Sequence, residues 1–267
     1  MTVQPHQFHR HPALPWAELR VSRQSPHCYR LHAHAEYSLG LVDAGTALFQ
    51  HADGAQPMAA GSVVLIEPGV WHACNPAQVA QWSYRMLYVQ ADWLHALLGI
   101  TGLRFVQRAL HNDAVTAVVE QLCHNLLQGD AAGFTATLTG LLRQPAIAQP
   151  VPPSAHPQHA HDAAVHHALQ QLHAQPDAAP SVQALAQAEG MSASRFIRHF
   201  KAATGVTPGA YRLNLRLNGA RRLLAEGAAL ADAAHAMGFA DQAHLQRSFK
   251  AHHALTPGRY ARGAALR

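Results

Sequence analysis

The sequence predicts a two-domain α+β protein: an N-terminal β-barrel with C-flanking helices, followed by an all-α C-terminal domain carrying two helix-turn-helix units. Three observations predict it. Short apolar runs broken by Gly and Pro fill the first third, a proline-rich stretch interrupts the chain after Arg143, and a segment in the last third occurs twice.

The β elements come first. Between about His27 and Gln90 the runs YSLGLV, ALFQH, SVVLI and SYRMLYV are separated by Asp43-Ala44-Gly45, Asp53-Gly54 and Pro68-Gly69. Short strands with turns at this spacing make a small antiparallel barrel or sandwich. From Asn112 to Gln128 the positions Val115, Val118, Val119, Leu122 and Leu126 recur at helical spacing, and Phe134, Leu138, Leu141 and Leu142 extend the pattern. Two helices therefore close this domain, residues 1–143. The same helices offer a surface for a homodimer.

Residues 144–161 read as a semi-extended linker, because Pro145, Pro150, Pro152, Pro153 and Pro157 remove backbone donors and disfavour helix. Histidines His156, His159, His161, His166, His167 and His173 crowd this region, but the chain holds 22 and these lack ligand spacing, so composition explains them better than a metal tract.

The C-terminal domain, residues 162–267, carries the repeat. RHFKAATGVTPGAYR at Arg198–Arg212 returns as RSFKAHHALTPGRYA at Arg247–Ala261, an offset of 49 with eight of fifteen positions identical. Chance gives about one identity, so the segment is duplicated. Each copy reads as a short Ala-rich helix, a turn with Gly190 or Gly238, then a second helix. Ser192 caps the first of these second helices, and Asp241 sits in the first turn of the other. Phe196, Phe200, Leu245 and Phe249 face inward. Ser194, Arg195, Arg198, Lys201, Gln242, His244, Gln246, Arg247 and Lys250 face outward, where Arg and Gln suit base edges and Lys suits phosphates. A helix over Ala210–Ala225 joins the copies, placing the two outward helices toward neighbouring major-groove segments of double-stranded DNA.

Charge agrees with this division. Residues 1–159 carry 8 Lys and Arg against 9 Asp and Glu, whereas residues 160–267 carry 12 against 6. Only the second part suits a polyanion. No apolar run reaches membrane-spanning length, and the N-terminus lacks a signal-peptide layout, so the expectation is a soluble cytoplasmic protein without a membrane partner. Cys28, Cys74 and Cys123 are widely spaced and form no CxxC pair, which argues against a disulfide framework or a zinc knuckle.

The stretch Ser181–Arg262, above all AHAMGFADQAHLQRSFKAHHALTPGRYAR, resembles the paired helix-turn-helix domain of the AraC/XylS family of transcriptional regulators. That resemblance implies DNA-binding regulation, most often activation with RNA polymerase as partner, under an upstream effector-binding domain. The segment from Gly61 to His72 resembles the second motif of cupin barrels, and His32-Ala33-His34-Ala35-Glu36 sets three potential ligands at alternate positions. The cupin resemblance implies that His32, His34, Glu36 and His72 meet inside the barrel. Such a set suits Zn, Ni, Mn or Fe(II) without choosing among them. Trp71, Trp82, Arg85 and Tyr88 are the expected effector-pocket residues, with Arg85 a candidate for an effector carboxylate. The alternatives are a cupin metalloenzyme, oxygenase-like, with a helical extension, and an architectural DNA binder with a vestigial barrel. The duplicated basic domain favours a regulator without catalytic residues over the enzyme, and effector-independent DNA binding would distinguish the architectural binder.

Overall fold

A computed structural model of the chain describes residues 6–25, 28–51, 54–76, 82–151 and 163–263. The chain divides into two compact units at Pro153/Ser154.

The first unit contains β1 (His6–His9), β2 (Ala17–Ser22), β3 (Tyr37–Ala44), β4 (Thr46–His51), β5 (Gly54–Ala59), β6 (Ser62–Ile66), β7 (His72–Pro76) and β8 (Ser83–Val89). These are followed by α1 (Ala91–Leu98), β9 (Leu103–Phe105), β10 (Ala109–His111), α2 (Asp113–Gln128), α3 (Ala131–Leu142) and β11 (Ala148–Pro150). A six-stranded sheet in the order β1-β2-β8-β3-β6-β10 and a three-stranded sheet in the order β5-β4-β7 form the expected β-rich N-terminal domain. All four runs read as strands from the sequence are strands here. The sequence reading missed β1 and β2, which precede its starting point at His27 and extend the large sheet.

Period-2 alternation gives the large sheet two distinct faces. Leu19, Leu87, Leu39 and Leu65 align across β2, β8, β3 and β6 on one face, and α2 and α3 cover it with Val115, Val119, Leu122, Leu126, Phe134 and Leu138. Each such fully buried side chain contributes about 1.5–3 kcal/mol. The next register row, Arg20, Met86, Gly40 and Val64, lies on the opposite face. That face borders a cavity whose far wall includes Phe49 of β4 with His72 and Cys74 of β7. Strands β3 and β6 are consequently buried on both sides along most of their length.

The linker begins later than the sequence suggested. Ile147 and Ala148 are buried, β11 pairs antiparallel with β9, and Val151 N donates to Gly102 O at 2.9 Å. Pro150 is tolerated because it ends a three-residue edge strand. The remaining linker positions, 152–161, lie outside the described residues.

The second unit is helical: α4 (Ala163–Ala174), α5 (Val182–Ala188), α6 (Ala193–Thr204), α7 (Pro208–Ala225), α8 (Leu230–Ala236), α9 (Gln242–His253) and α10 (Pro257–Ala261). The 49-residue offset is reproduced in space. α6 and α9 begin and end 49 residues apart, Phe200 packs on Tyr211 with ring centroids 5.7 Å apart, and Phe249 packs on Tyr260 at 5.6 Å. Helix α4, unread in the sequence, adds Val165, Ala168 and Leu172 to the core under Phe196 and Phe200.

Candidate functional site

The cavity is assembled by backbone pairing between distant segments. His32 and His72 form a reciprocal bridge, with His32 N to His72 O at 3.0 Å and His72 N to His32 O at 2.9 Å. Asn75 clamps the same segment by accepting from Tyr29 N and donating to Tyr29 O. These contacts bring His32, His34 and His72 together, each offering a ring nitrogen within 4.8 Å of the others. His32 Nδ1 donates to Arg30 O and His72 Nδ1 to Val70 O, both at 2.8 Å. Such bonds fix the tautomer and leave Nε2 as the lone-pair donor, the usual arrangement of a metal-binding imidazole. His72 is buried, which pulls its pKa down to about 4 and keeps the ring neutral at pH 7.

Two nitrogens on one Zn²⁺ lie at most about 4.2 Å apart, twice the Zn–N bond. A small closure of the three rings would therefore suffice, and the donor set fits a divalent transition metal. Glu36 is not part of it. The chain bends at Ala35–Glu36, so alternation stops before the carboxylate, which is half-buried outside the triad.

Of the expected pocket residues, Trp82 and Tyr88 line the cavity, and Tyr88 packs edge-on to His34 with centroids 5.0 Å apart. Trp71, next to the His72 bridge, is half-buried and is not among the lining residues. Arg85 borders the cavity, but its guanidinium is held by Asp43 at 2.6 Å and Glu120 at 3.1 Å. The register explains this, since Arg85 shares its side of β8 with Leu87 and Val89, while Tyr84, Met86 and Tyr88 occupy the other.

Sequence reasoning missed Arg20, Tyr29, Tyr84 and Cys74, all of which line the cavity. Arg20 and Tyr29 lie on or beside the unrecognised N-terminal strands. Tyr84 and Cys74 alternate with recognised residues, at i+2 from Trp82 and His72 respectively, so strict period-2 counting could have found them. Burial pushes the Cys74 thiol up to about 12. The cavity itself is small, about 40 Å³, room for roughly three water-sized groups.

In the helical unit, Ser192 accepts from Arg195 N and Asp241 from His244 N, so both outward helices are side-chain capped. Ser194, Arg195, Arg198 and Lys201 on α6 and Gln242, Gln246, Arg247 and Lys250 on α9 are exposed. His244 departs from the outward reading. It is half-buried, with its ring edge-to-face on Phe239 at 5.3 Å. Between the copies, Arg212 and Arg216 of α7 donate to the backbone carbonyls of Ala179 and Pro176, so these cations tie the α4–α5 connection to α7.

Residues 15–146 match the family described as the AraC-like ligand-binding domain, and residues 185–263 match a helix-turn-helix domain family. An uncharacterized HTH-type transcriptional regulator of Bacillus subtilis, YbfI, is 26% identical over 229 residues, 80% of each chain. Among solved structures, ToxT from Vibrio cholerae O395 superposes with a TM-score of 0.57 at 11% identity, over 92% of this chain and 97% of that one. ToxT from Vibrio cholerae strain SCE256 with an unsaturated fatty acid bound gives 0.56 at 12% identity, over 99% of each.

Proposed function

Because this chain belongs to the AraC/XylS family of transcriptional regulators, pairing an N-terminal ligand-binding domain with a helix-turn-helix DNA-binding domain, we propose that its DNA binding is controlled by a divalent transition metal held by His32, His34 and His72. The observation that carries this reading is the convergence of three imidazoles, two with Nδ1 committed to backbone carbonyls. Zn, Ni, Mn or Fe(II) all accept such donors. A metal that binds one arrangement of the protein more tightly shifts promoter occupancy by that difference in affinity. The size of the cavity, about 40 Å³, supports an ion with a small co-ligand over a fatty acid.

The remaining parts of the proposal follow from the family. The protein acts in the cytoplasm as an activator, binding promoter DNA as a homodimer and engaging RNA polymerase. It is not an enzyme. The apolar stripes of α2 and α3 are already buried within their own unit, so a dimer contact through these helices would use their outer faces, including Glu120 and His124, both exposed. Exposed residues on α6 and α9 make the base and phosphate contacts, with Arg247 and Gln246 reading base edges.

The experiment is recovery and sequencing of genomic fragments retained by the purified protein, before and after chelation, with metal content measured in parallel. The expected result is one bound metal per chain and a retained set that changes on chelation. Replacing His32 and His34 together by Ala should abolish both. Metal content equal to that of the unaltered protein in the double variant would reject the site.

A further inference from the structure

The histidine row continues one strand beyond the triad. His72 faces His32 on one side, through the reciprocal backbone bridge, and His51 of β4 on the other, as its register partner in the three-stranded sheet. Residues directly opposite one another in neighbouring antiparallel strands project to the same face, so His32, His72 and His51 form one cross-strand row. Burial along β4 places that row on the cavity side. Ala47 and Phe49 are buried, Leu48 and Gln50 are exposed, and the half-buried His51 continues the inner side of the alternation. Its ring lies 5.1 Å from that of Phe49, which lines the cavity and is 6.3 Å from the His72 ring.

The backbone also sets the spacing within the row. His72 N and O are both committed to His32, so the pairing of His72 with His51 is of the non-hydrogen-bonded kind. In such pairs the Cα atoms stand about 4.5 Å apart and the side chains approach more closely. His51 is not among the imidazoles whose nitrogens already lie within 4.8 Å of one another, and a rotamer change at this strand end would carry its ring toward them. Other donors are less well placed. Glu36 lies past the bend at Ala35. Cys74 is on the cavity wall, but it is two residues from His72 on the side away from His34, whose carbonyl meets Gly69 N at the opposite end of the pairing.

Resting on the metal reading above, we propose that His51 supplies the fourth ligand and closes an all-imidazole site around the ion. The position left there to a small co-ligand is then filled by the chain itself. Four imidazoles suit Zn or Ni better than Mn, which favours oxygen donors. A closed coordination sphere belongs to an ion that is held rather than used in turnover. The cavity of about 40 Å³ then has only the ion to accommodate.

The test uses the full chain, stripped of metal and loaded with Co²⁺, whose visible absorption is strong in four-coordinate sites and weak when further ligands enter. The unaltered protein should bind one Co²⁺ with a strong four-coordinate spectrum that added azide does not change. His51→Ala should still take up Co²⁺, with affinity lowered about ten- to a hundredfold in chelator competition, and its spectrum should be shifted and respond to azide. Added imidazole should restore the original spectrum by filling the opened place. A response to azide in the unaltered protein reveals an open position and overturns the proposal, whether or not His51→Ala folds. Spectrum and affinity equal to those of the unaltered protein in His51→Ala overturn it as well. Weaker binding with an unshifted spectrum does the same, because it puts His51 beside the ligands rather than among them. These three results leave the metal reading standing, since Co²⁺ is bound in each. Failure of the unaltered protein to take up Co²⁺ rejects the metal reading and this proposal together.

Discussion

The duplicated domain contains its own control for backbone strain. Gly205 and Ala254 end equivalent helices, both in the left-handed region, at φ 81° and φ 62°. An L-residue with a Cβ pays about 1–2 kcal/mol there, part of which is offset by the greater flexibility of Gly in the unfolded chain. Ala254→Gly should therefore stabilise the helical unit by about 1 kcal/mol. Gly205→Ala should destabilise it by a similar amount, and nothing lies within 4 Å of the added Cβ to obscure the backbone effect. Thermal unfolding followed by the helical signal checks both, and a shift of the same sign in the two variants would contradict the strain argument. His72 gives a second residue-scale expectation. Burial lowers its folded pKa to about 4 from an ordinary 6.5, so the unfolded chain takes up the proton first as pH falls. The contribution is fully present above pH 6.5 and is lost through the window down to about 4, roughly 3 kcal/mol in total at about 1.4 per unit. Denaturant titrations of metal-free protein across that window should show the slope, and His72→Gln should flatten it.

At the scale of elements, what was legible depended on whether the signal was local. Helices α2, α3, α6, α7 and α9 announce themselves through apolar spacing within one segment, and strands β3, β4, β6 and β8 through runs bounded by Gly, Pro or Asp. The repeat was readable because it compares the chain with itself. Glu36 failed as a ligand because alternation predicts a face only while the strand continues, and the chain bends at Ala35, just after the backbone pairing of His32 with His72 and of His34 with Gly69. Arg85 departed from its expected role, and Arg20 went unread, for a related reason: which face of a sheet meets the helices is decided by partners far away in sequence, here α2 and β2. Strand β11 shows the same limit, since five prolines outweighed the local reading of Ala146-Ile147-Ala148 as apolar. A fragment of the N-terminal unit ending at Val151 should therefore be more stable than one ending at Arg143. The shorter one loses the burial of Ile147 and Ala148 and uncovers Leu103 and Phe105, about 3 kcal/mol by apolar area. Equal unfolding midpoints for the two fragments would show that β11 adds nothing.

At the scale of the whole molecule, sensing and DNA contact are assigned to different units, each with its own buried core. This separation makes the proposed control testable by subtraction. The C-terminal unit from Ser154 onward contains both capped outward helices and the core beneath them, so by itself it should retain the same DNA sequences as the full chain. Its affinity should be indifferent to chelation, because His32, His34 and His72 are absent from it. Histidines remain in this unit, among them His167, bonded to Glu189 at 2.6 Å, and His173, bonded to Tyr211 OH at 2.9 Å. Metal acting through those side chains rather than through the cavity would therefore appear as chelator-sensitive binding by the fragment. Fluorescence anisotropy with one retained sequence, measured for fragment and full chain at equal salt, separates the two cases. Chelator sensitivity confined to the full chain places control in the sheet-bound cavity, whereas equal sensitivity in both moves it to the helical unit and removes the reason to assign the triad a regulatory role.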